Sequence, residues 1–204
     1  TRPREVLTVG AVGTFAVGWL LPRLRDFQQA CPFVDLRLLT HNNRVDIAAE
    51  GLDYAVKFGS GAWQGLDATP LFEAPLSPLC TPELARTLSQ PADVLAHTLL
   101  RSYRADEWPQ WLREAGVGHP LFIRNSIMFD SSIGMIEAAR QGAGIALAPP
   151  AMFTRALARG ELVQPFSPGL STGQYWLVKL QSRQDSPAML VFSQWLLQQI
   201  AGQP

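Results

Sequence analysis

The sequence predicts an α/β chain of two Rossmann-like lobes, the second inserted in the first, with a cleft between them. Three observations predict it. Short β-rich apolar runs alternate with helical periodicity over residues 6–59, and the same rhythm restarts after Thr81. Between these halves lies ATPLFEAPLSPLCTP, with prolines at 70, 75, 78 and 82. Prolines cannot donate to a ladder, so this stretch cannot be a central strand along its whole length, and it suits a connector. A late β-rich run, GQYWLVKL at 173–180, offers a route back to the first lobe. The lobes are therefore expected at residues 1–73 plus 180–204 and at 74–179, with crossovers near 72–78 and 174–180.

Residues 6–12 (VLTVGAV) are apolar at nearly every position, as a strand buried on both faces should be. Gly13 and Thr14 then give a turn and a helix cap. From 15 to 30, Val17, Leu20, Leu21, Leu24 and Phe27 recur at helical spacing, and Pro32 closes the element. Residues 34–39 alternate and predict a second strand; 44–50 predict a short helix ended by Gly51; 53–59 predict a third strand. Strands joined in this way run parallel with right-handed crossovers.

In the second half, Thr81 caps a helix over 81–88 with Pro82 in its first turn. TLLRSY (98–103) predicts a strand, and 106–116 a helix carrying Trp108, Trp111 and Leu112. Strands follow at 120–126 and 144–149, with helices at 130–141 and 150–159. The last helix, 187–200, has Leu190, Val191, Trp195 and Leu197 on its apolar side. The tryptophans at 108, 111 and 195 lie at helical spacing, the pattern of core or subunit contact.

Composition limits the function. The net charge is zero, with 17 basic and 17 acidic residues, and only Lys57 and Lys179 are lysines. A chain gripping nucleic acid needs a basic face, which this one lacks. No window is long and apolar enough for a membrane span, and there is no signal peptide. The start at TRPREVL, without Met, reads as an excised piece. Cys31 and Cys80 have no CxxC partner and read as reduced core cysteines, with one disulfide left open by the sequence.

Catalytic patterns are missing. His41, His97 and His119 lie in separate segments with no metal-ligand spacing, and a lone His is more often structural than a ligand. There is no GxSxG elbow, GxGxxG or GxxxxGK[ST]. No cofactor and no metal are expected. What remains is binding at helix starts. Thr14 stands where the first strand meets its helix, and Ser131 and Ser132 stand at the start of the 130–141 helix. Each helix start carries unpaired N–H donors and a positive partial charge of use to a carboxylate. On residue type alone these are caps. Matched positions in two lobes around a cleft give the second reading, two jaws closing on an anionic ligand. Asp46 is either a first-turn carboxylate or a receiver for an ammonium group. Tyr175, on the return strand, is either a half-buried aromatic or a phenol reaching ligand. Tyr103 and Arg104 are weaker candidates at another strand end.

Three stretches carry a family resemblance: GLDYAVKFGSGAWQGLDATPLFEAPLSPLCTPELA (51–85), GMIEAARQGAGIALAPPAMFTRALARGELVQPF (134–166) and the YWLV and VFSQWLLQQI ending. They resemble the C-terminal effector-binding domain of LysR-type transcriptional regulators, over essentially the whole chain. The FGSGAWQGLDATPL wording is similar to the branch that includes regulators of glycine cleavage and of chromosomal β-lactamase. The resemblance implies a type 2 periplasmic-binding-protein-like fold and a cytoplasmic protein that is not an enzyme. It also implies an N-terminal winged helix-turn-helix, absent from this chain, as the only contact with DNA. It implies a homodimer or homotetramer, no membrane, and activation and repression of a β-lactamase gene. The implied effectors are cell-wall muropeptides, namely anhydro-muramyl peptides and the UDP-muramyl pentapeptide. The pocket positions it carries over are Gly13, Thr14, Asp46, Ser132 and Tyr175; Ser131 is added by the helix-start argument alone. The rival reading is a periplasmic solute-binding protein for a small anionic ligand, and a third is a small hydrolase or deaminase on the same scaffold.

Overall fold

The structure, a computed structural model, describes residues 2–118, 122–167 and 169–203. Strand β1 (Glu5–Val12) runs directly into helix α1 (Gly13–Phe15). A π turn at Ala16–Leu20 and a 3-10 turn at Leu21–Arg23 carry the helical path on to α2 (Leu24–Ala30). The break in regularity has a cause in Pro22, which has no N–H to give the carbonyl one turn back. Then follow β2 (Val34–His41), β3 (Tyr54–Gly59), β4 (Leu66–Glu73), β5 (Ser77–Leu79), α3 (Pro82–Ala85) and β6 (Leu99–Arg101). The remaining elements are α4 (Glu107–Glu114), β7 (Ser126–Met128), α5 (Ser132–Arg140), β8 (Ile145–Ala148), α6 (Thr154–Ala158), β9 (Gln174–Leu180) and α7 (Pro187–Ala201).

The chain divides into two compact units: residues up to Glu73 together with those from Gly173 onward, and residues Ala74–Thr172. The first unit holds a five-stranded sheet ordered β2-β1-β3-β9-β4. Strands β1, β2 and β3 are parallel, and β9 lies antiparallel between β3 and β4. All of β9 is thus paired inside the first unit. The second unit holds a four-stranded sheet ordered β5-β8-β6-β7, parallel at β6–β7 and β6–β8 and antiparallel at β5–β8.

One face of the first sheet is covered by the helices. Phe15, Trp19, Phe27, Phe192 and Trp195 are buried there, with ring centroids 5.0–6.3 Å apart along the chain of contacts. The other face buries Ile47, Leu52, Ala55 and Val178, with Trp63 and Trp176 packed against them. In the second unit Trp108, Trp111 and Leu112 of α4 join Leu99, Ile145 and Leu147 of the sheet. The Trp108 indole N–H donates to the Leu100 carbonyl at 3.0 Å, so the large ring is buried with its polar atom satisfied. All three tryptophans at helical spacing are core residues.

Three predicted elements differ. Residues 44–50 do not form a helix element: the Glu50 N–H meets the Asp46 carbonyl at 3.0 Å, and the chain turns out at once. The strand predicted at 120–126 begins only at Ser126, and its residues 120 and 121 lie outside the described residues. The stretch 68–82, read as connector, holds most of the edge strand β4, with its register shift between Pro70 and Phe72, and all of the edge strand β5. An edge is where a strand tolerates proline.

Candidate functional site

The first unit places the carboxyl ends of β1, β2 and β3 on one rim, since the three are parallel. Gly13 and Thr14 follow β1 without a loop. Thr14 is not a cap: the cap position is Val12, and no side chain closes the helix start. The Thr14 hydroxyl lies instead 3.0 Å from the Tyr175 hydroxyl. Both residues are buried, Thr14 at 6% and Tyr175 at 2% exposure. Tyr175 is therefore wholly rather than half buried.

Packing fixes the phenol. Tyr175 stands opposite Phe58 on one side and Phe72 on the other. Its ring centroid lies 5.2 Å from that of Phe58, 5.4 Å from Phe72 and 5.3 Å from Phe15. Burial pushes the phenol pKa up to about 12, against the opposing effect of the Thr14 hydrogen bond. The pair is neutral at physiological pH. Two hydroxyls carry two protons, and their mutual bond uses one. One O–H donor remains to be aimed at an acceptor.

Asp46 belongs to the same unit but to the segment between β2 and β3. It is exposed, and its Oδ1 accepts from the Ala49 N–H at 3.1 Å, so it caps its own turn. In the second unit Ser131 holds the cap position of α5 with extended backbone, and its side chain makes no capping bond. Its carbonyl accepts from the Met135 N–H at 3.1 Å. Ser132 is the first helical residue, and both serines are half-buried. The expected capping role of these hydroxyls is thus not the one they fill. Gly134, in the first turn of α5, is exposed, and an added Cβ would meet only Phe129 at 3.8 Å.

Other candidates resolve as structural. The His41 Nδ1 accepts from the Asn43 N–H at 2.9 Å, and the ring pKa is lowered to about 4, first by burial and then by the Lys57 charge. His97 pairs with the Thr87 hydroxyl at 2.9 Å, and His119 lies outside the described residues. Cys31 and Cys80 are both free and buried, which settles the question left open by the sequence. Near Tyr103 and Arg104, the Ser102 hydroxyl donates to Glu107 at 2.7 Å and accepts from the Arg104 N–H at 3.1 Å. No group of three metal-ligating side chains occurs among the described residues. A cavity of about 310 Å³ in the first unit is lined by Leu24, Phe27, Cys31, Leu36 and Leu38, and none of the predicted site residues lines it. Sequence reasoning missed Phe58 and Phe72 as the walls around Tyr175. What sets them opposite Tyr175 is the strand register, for which the sequence carries no local signal.

A model described as the LysR substrate binding domain matches residues 1–201. The chain belongs to the LysR substrate-binding domain family. The HTH-type transcriptional activator AmpR of Pseudomonas aeruginosa is 64% identical over 198 residues, covering 97% of this chain and 67% of that relative. The chain thus spans about two thirds of the relative's length. The crystal structure of the effector domain of that AmpR superposes with a TM-score of 0.93, covering 97% of this chain and 96% of the other. An effector-binding domain from Citrobacter freundii carrying three substitutions, a Thr to Val, a Ser to Ala and a Tyr to Phe, is 48% identical with a TM-score of 0.93, covering 97% and 100%. As a LysR effector-binding domain, the chain has the type 2 periplasmic-binding-protein-like fold and acts by binding an effector. Family membership decides for a transcriptional regulator over a solute-binding protein or an enzyme, since the relatives are regulators of transcription. Among the described residues no helix is long and apolar enough to cross a membrane.

Proposed function

We propose that this domain senses cell-wall muropeptides in the cytoplasm and, through a DNA-binding part beyond this chain, controls transcription of a β-lactamase gene. The observation that carries the reading is the buried Thr14–Tyr175 hydroxyl pair at 3.0 Å, with one donor left over beside the start of α1. Muropeptides present carboxylates and amide carbonyls to such a donor. The Ser131 and Ser132 hydroxyls at the start of α5 are the further effector contacts of this proposal. Asp46 and Gly13 complete the site, the carboxylate facing an ammonium group of the peptide. The substitutions in the Citrobacter freundii domain support the assignment. Its Thr, Ser and Tyr are separated by 118 and 43 positions, the same spacings as Thr14, Ser132 and Tyr175 here.

The domain works as a homodimer or homotetramer. The apolar side chains of Ile127 and Met128, exposed on the edge strand β7, support a further protein surface in the assembly. Effectors that hold the two units differently shift the population of dimer states, and an effector with equal affinity for both states shifts nothing. Calorimetric titration with an anhydro-muramyl peptide tests the reading. Thr14→Val and Ser132→Ala should each weaken binding roughly tenfold, the worth of one well-made hydrogen bond. Unchanged affinity in both variants overturns these two contacts.

A further inference from the structure

Among the described residues, Asn43 is the one non-glycine residue with positive φ, at 75°. Asn tolerates this region better than most residues, but holding it there needs partners. Asn43 has three. Its N–H donates to the His41 Nδ1 at 2.9 Å. Its side-chain Nδ2 donates to the Phe58 carbonyl at 2.7 Å, and its Oδ1 accepts from the Phe58 N–H at 2.7 Å.

The position of Phe58 explains why these bonds matter. Strands β1 and β3 pair only from Val9 opposite Tyr54 to Ala11 opposite Val56. Past Val56 the ladder with β1 stops, and the Asn43 carboxamide supplies to Phe58 both the donor and the acceptor that a neighbouring strand would supply. With both main-chain groups of Phe58 turned to Asn43, its pairing with Tyr175 on β9 is of the kind that exchanges no main-chain hydrogen bond. In that kind of pair the side chains approach more closely. The Phe58 ring lies 5.2 Å from the Tyr175 ring, edge to face, and the Tyr175 hydroxyl meets Thr14. Asn43 is also the root of the segment that carries Asp46, whose own turn is closed by the Ala49 N–H. One carboxamide therefore joins the Asp46 segment to the strand end that walls the hydroxyl pair.

We infer that Asn43 is a positioning residue of the effector site, fixing the Asp46 carboxylate relative to the Thr14–Tyr175 pair, an inference that rests on the site proposed above. Asn43→Gly keeps the backbone at ease and removes both side-chain bonds. Asn43→Asp keeps the acceptor for the Phe58 N–H and loses the donor.

The experiment is a double-mutant cycle on the whole chain. Its readout is the calorimetric affinity for an anhydro-muramyl tripeptide containing diaminopimelate. In the parent, Asp46→Asn and Thr14→Val each lower affinity by about tenfold. In the Asn43→Gly background the expected result is selective: Asp46→Asn loses its effect, because the carboxylate is no longer held in place, while Thr14→Val keeps its own. A purely structural role would scale both effects alike. If Asp46→Asn costs the same tenfold with Gly at 43 as with Asn, the inference is overturned. If Asp46→Asn and Thr14→Val are both without effect in the parent, the site itself is wrong and the inference falls with it. Should Asn43→Gly not fold, Asn43→Asp carries the same cycle, with the Asp46→Asn effect reduced rather than lost.

Discussion

The Thr14 and Tyr175 hydroxyls share one hydrogen bond in a place where water is scarce, and that sets what each substitution costs. A buried hydroxyl deprived of its partner loses the desolvation compensation, about 1–3 kcal/mol, whereas removing both members of a pair is nearly neutral when shape is kept. Tyr175→Phe leaves the Thr14 hydroxyl unpaired, and Thr14→Val leaves the phenol unpaired among Phe15, Phe58 and Phe72. Each single variant should therefore lose about 1–2 kcal/mol in urea unfolding, and the double variant should lose clearly less than the two together. Strict additivity in that cycle would mean the two hydroxyls do not depend on one another. The same pair illustrates what residue types conceal. Thr14 after a strand reads as a cap, yet Val12 holds the cap position and the hydroxyl points to a residue 161 positions away.

At the scale of elements, the parallel strands β1, β2 and β3, the return strand β9 and the final helix α7 were legible. Apolar period decides them and the core rewards it. Residues 44–50 were misread because side chains there supply bonds that a helix takes from its backbone: Asn42 accepts from the Arg44 N–H, Asn43 binds Phe58, and Asp46 binds Ala49. Strand β4 was hidden by Pro70, which an edge position and a register shift accommodate. The site was legible as a set of strand and helix ends. Its internal contacts were not, because they depend on strand register, which no local pattern in β3, β4 or β9 gives. Helix docking yields a further test. Asp26 of α2 accepts from the Trp195 indole at 2.8 Å and from the Gln199 amide at 3.0 Å, both on α7. Asp26→Ala leaves the buried indole N–H unpaired and should destabilise the chain by about 1–2 kcal/mol, while Asp26→Asn, which keeps an acceptor oxygen, should cost less. Equal losses in the two variants, followed by tryptophan fluorescence in urea, would assign the effect to charge and not to the hydrogen bond.

For the whole molecule, the half-buried His41 and the buried Glu107 make the units respond to acid in opposite senses. In the first unit His41 has its pKa lowered from 6.5 to about 4, mainly by burial. The unfolded chain then binds the proton more readily than the folded one, so stability rises with pH. This contribution is complete above pH 6.5 and is lost as pH falls towards 4. In the second unit burial raises the Glu107 carboxyl, against the Ser102 hydrogen bond and the Arg104 charge. There the folded chain holds the proton more tightly, so that contribution is present at low pH and is lost as pH rises through the folded value. Between pH 7 and 5 the histidine term is about 2 kcal/mol at most, from the worth of a pKa unit, and less in proportion to the ring's contact with water. Carboxylates elsewhere titrate alike in all variants, so differences between variants isolate the two groups. Urea unfolding at pH 7, 6 and 5 should show the stability of the parent falling with acid, His41→Gln falling less steeply and Glu107→Gln falling more steeply. Parallel slopes for the three proteins would show that neither group titrates differently on folding, and that the acid response of the domain comes from its other titratable groups.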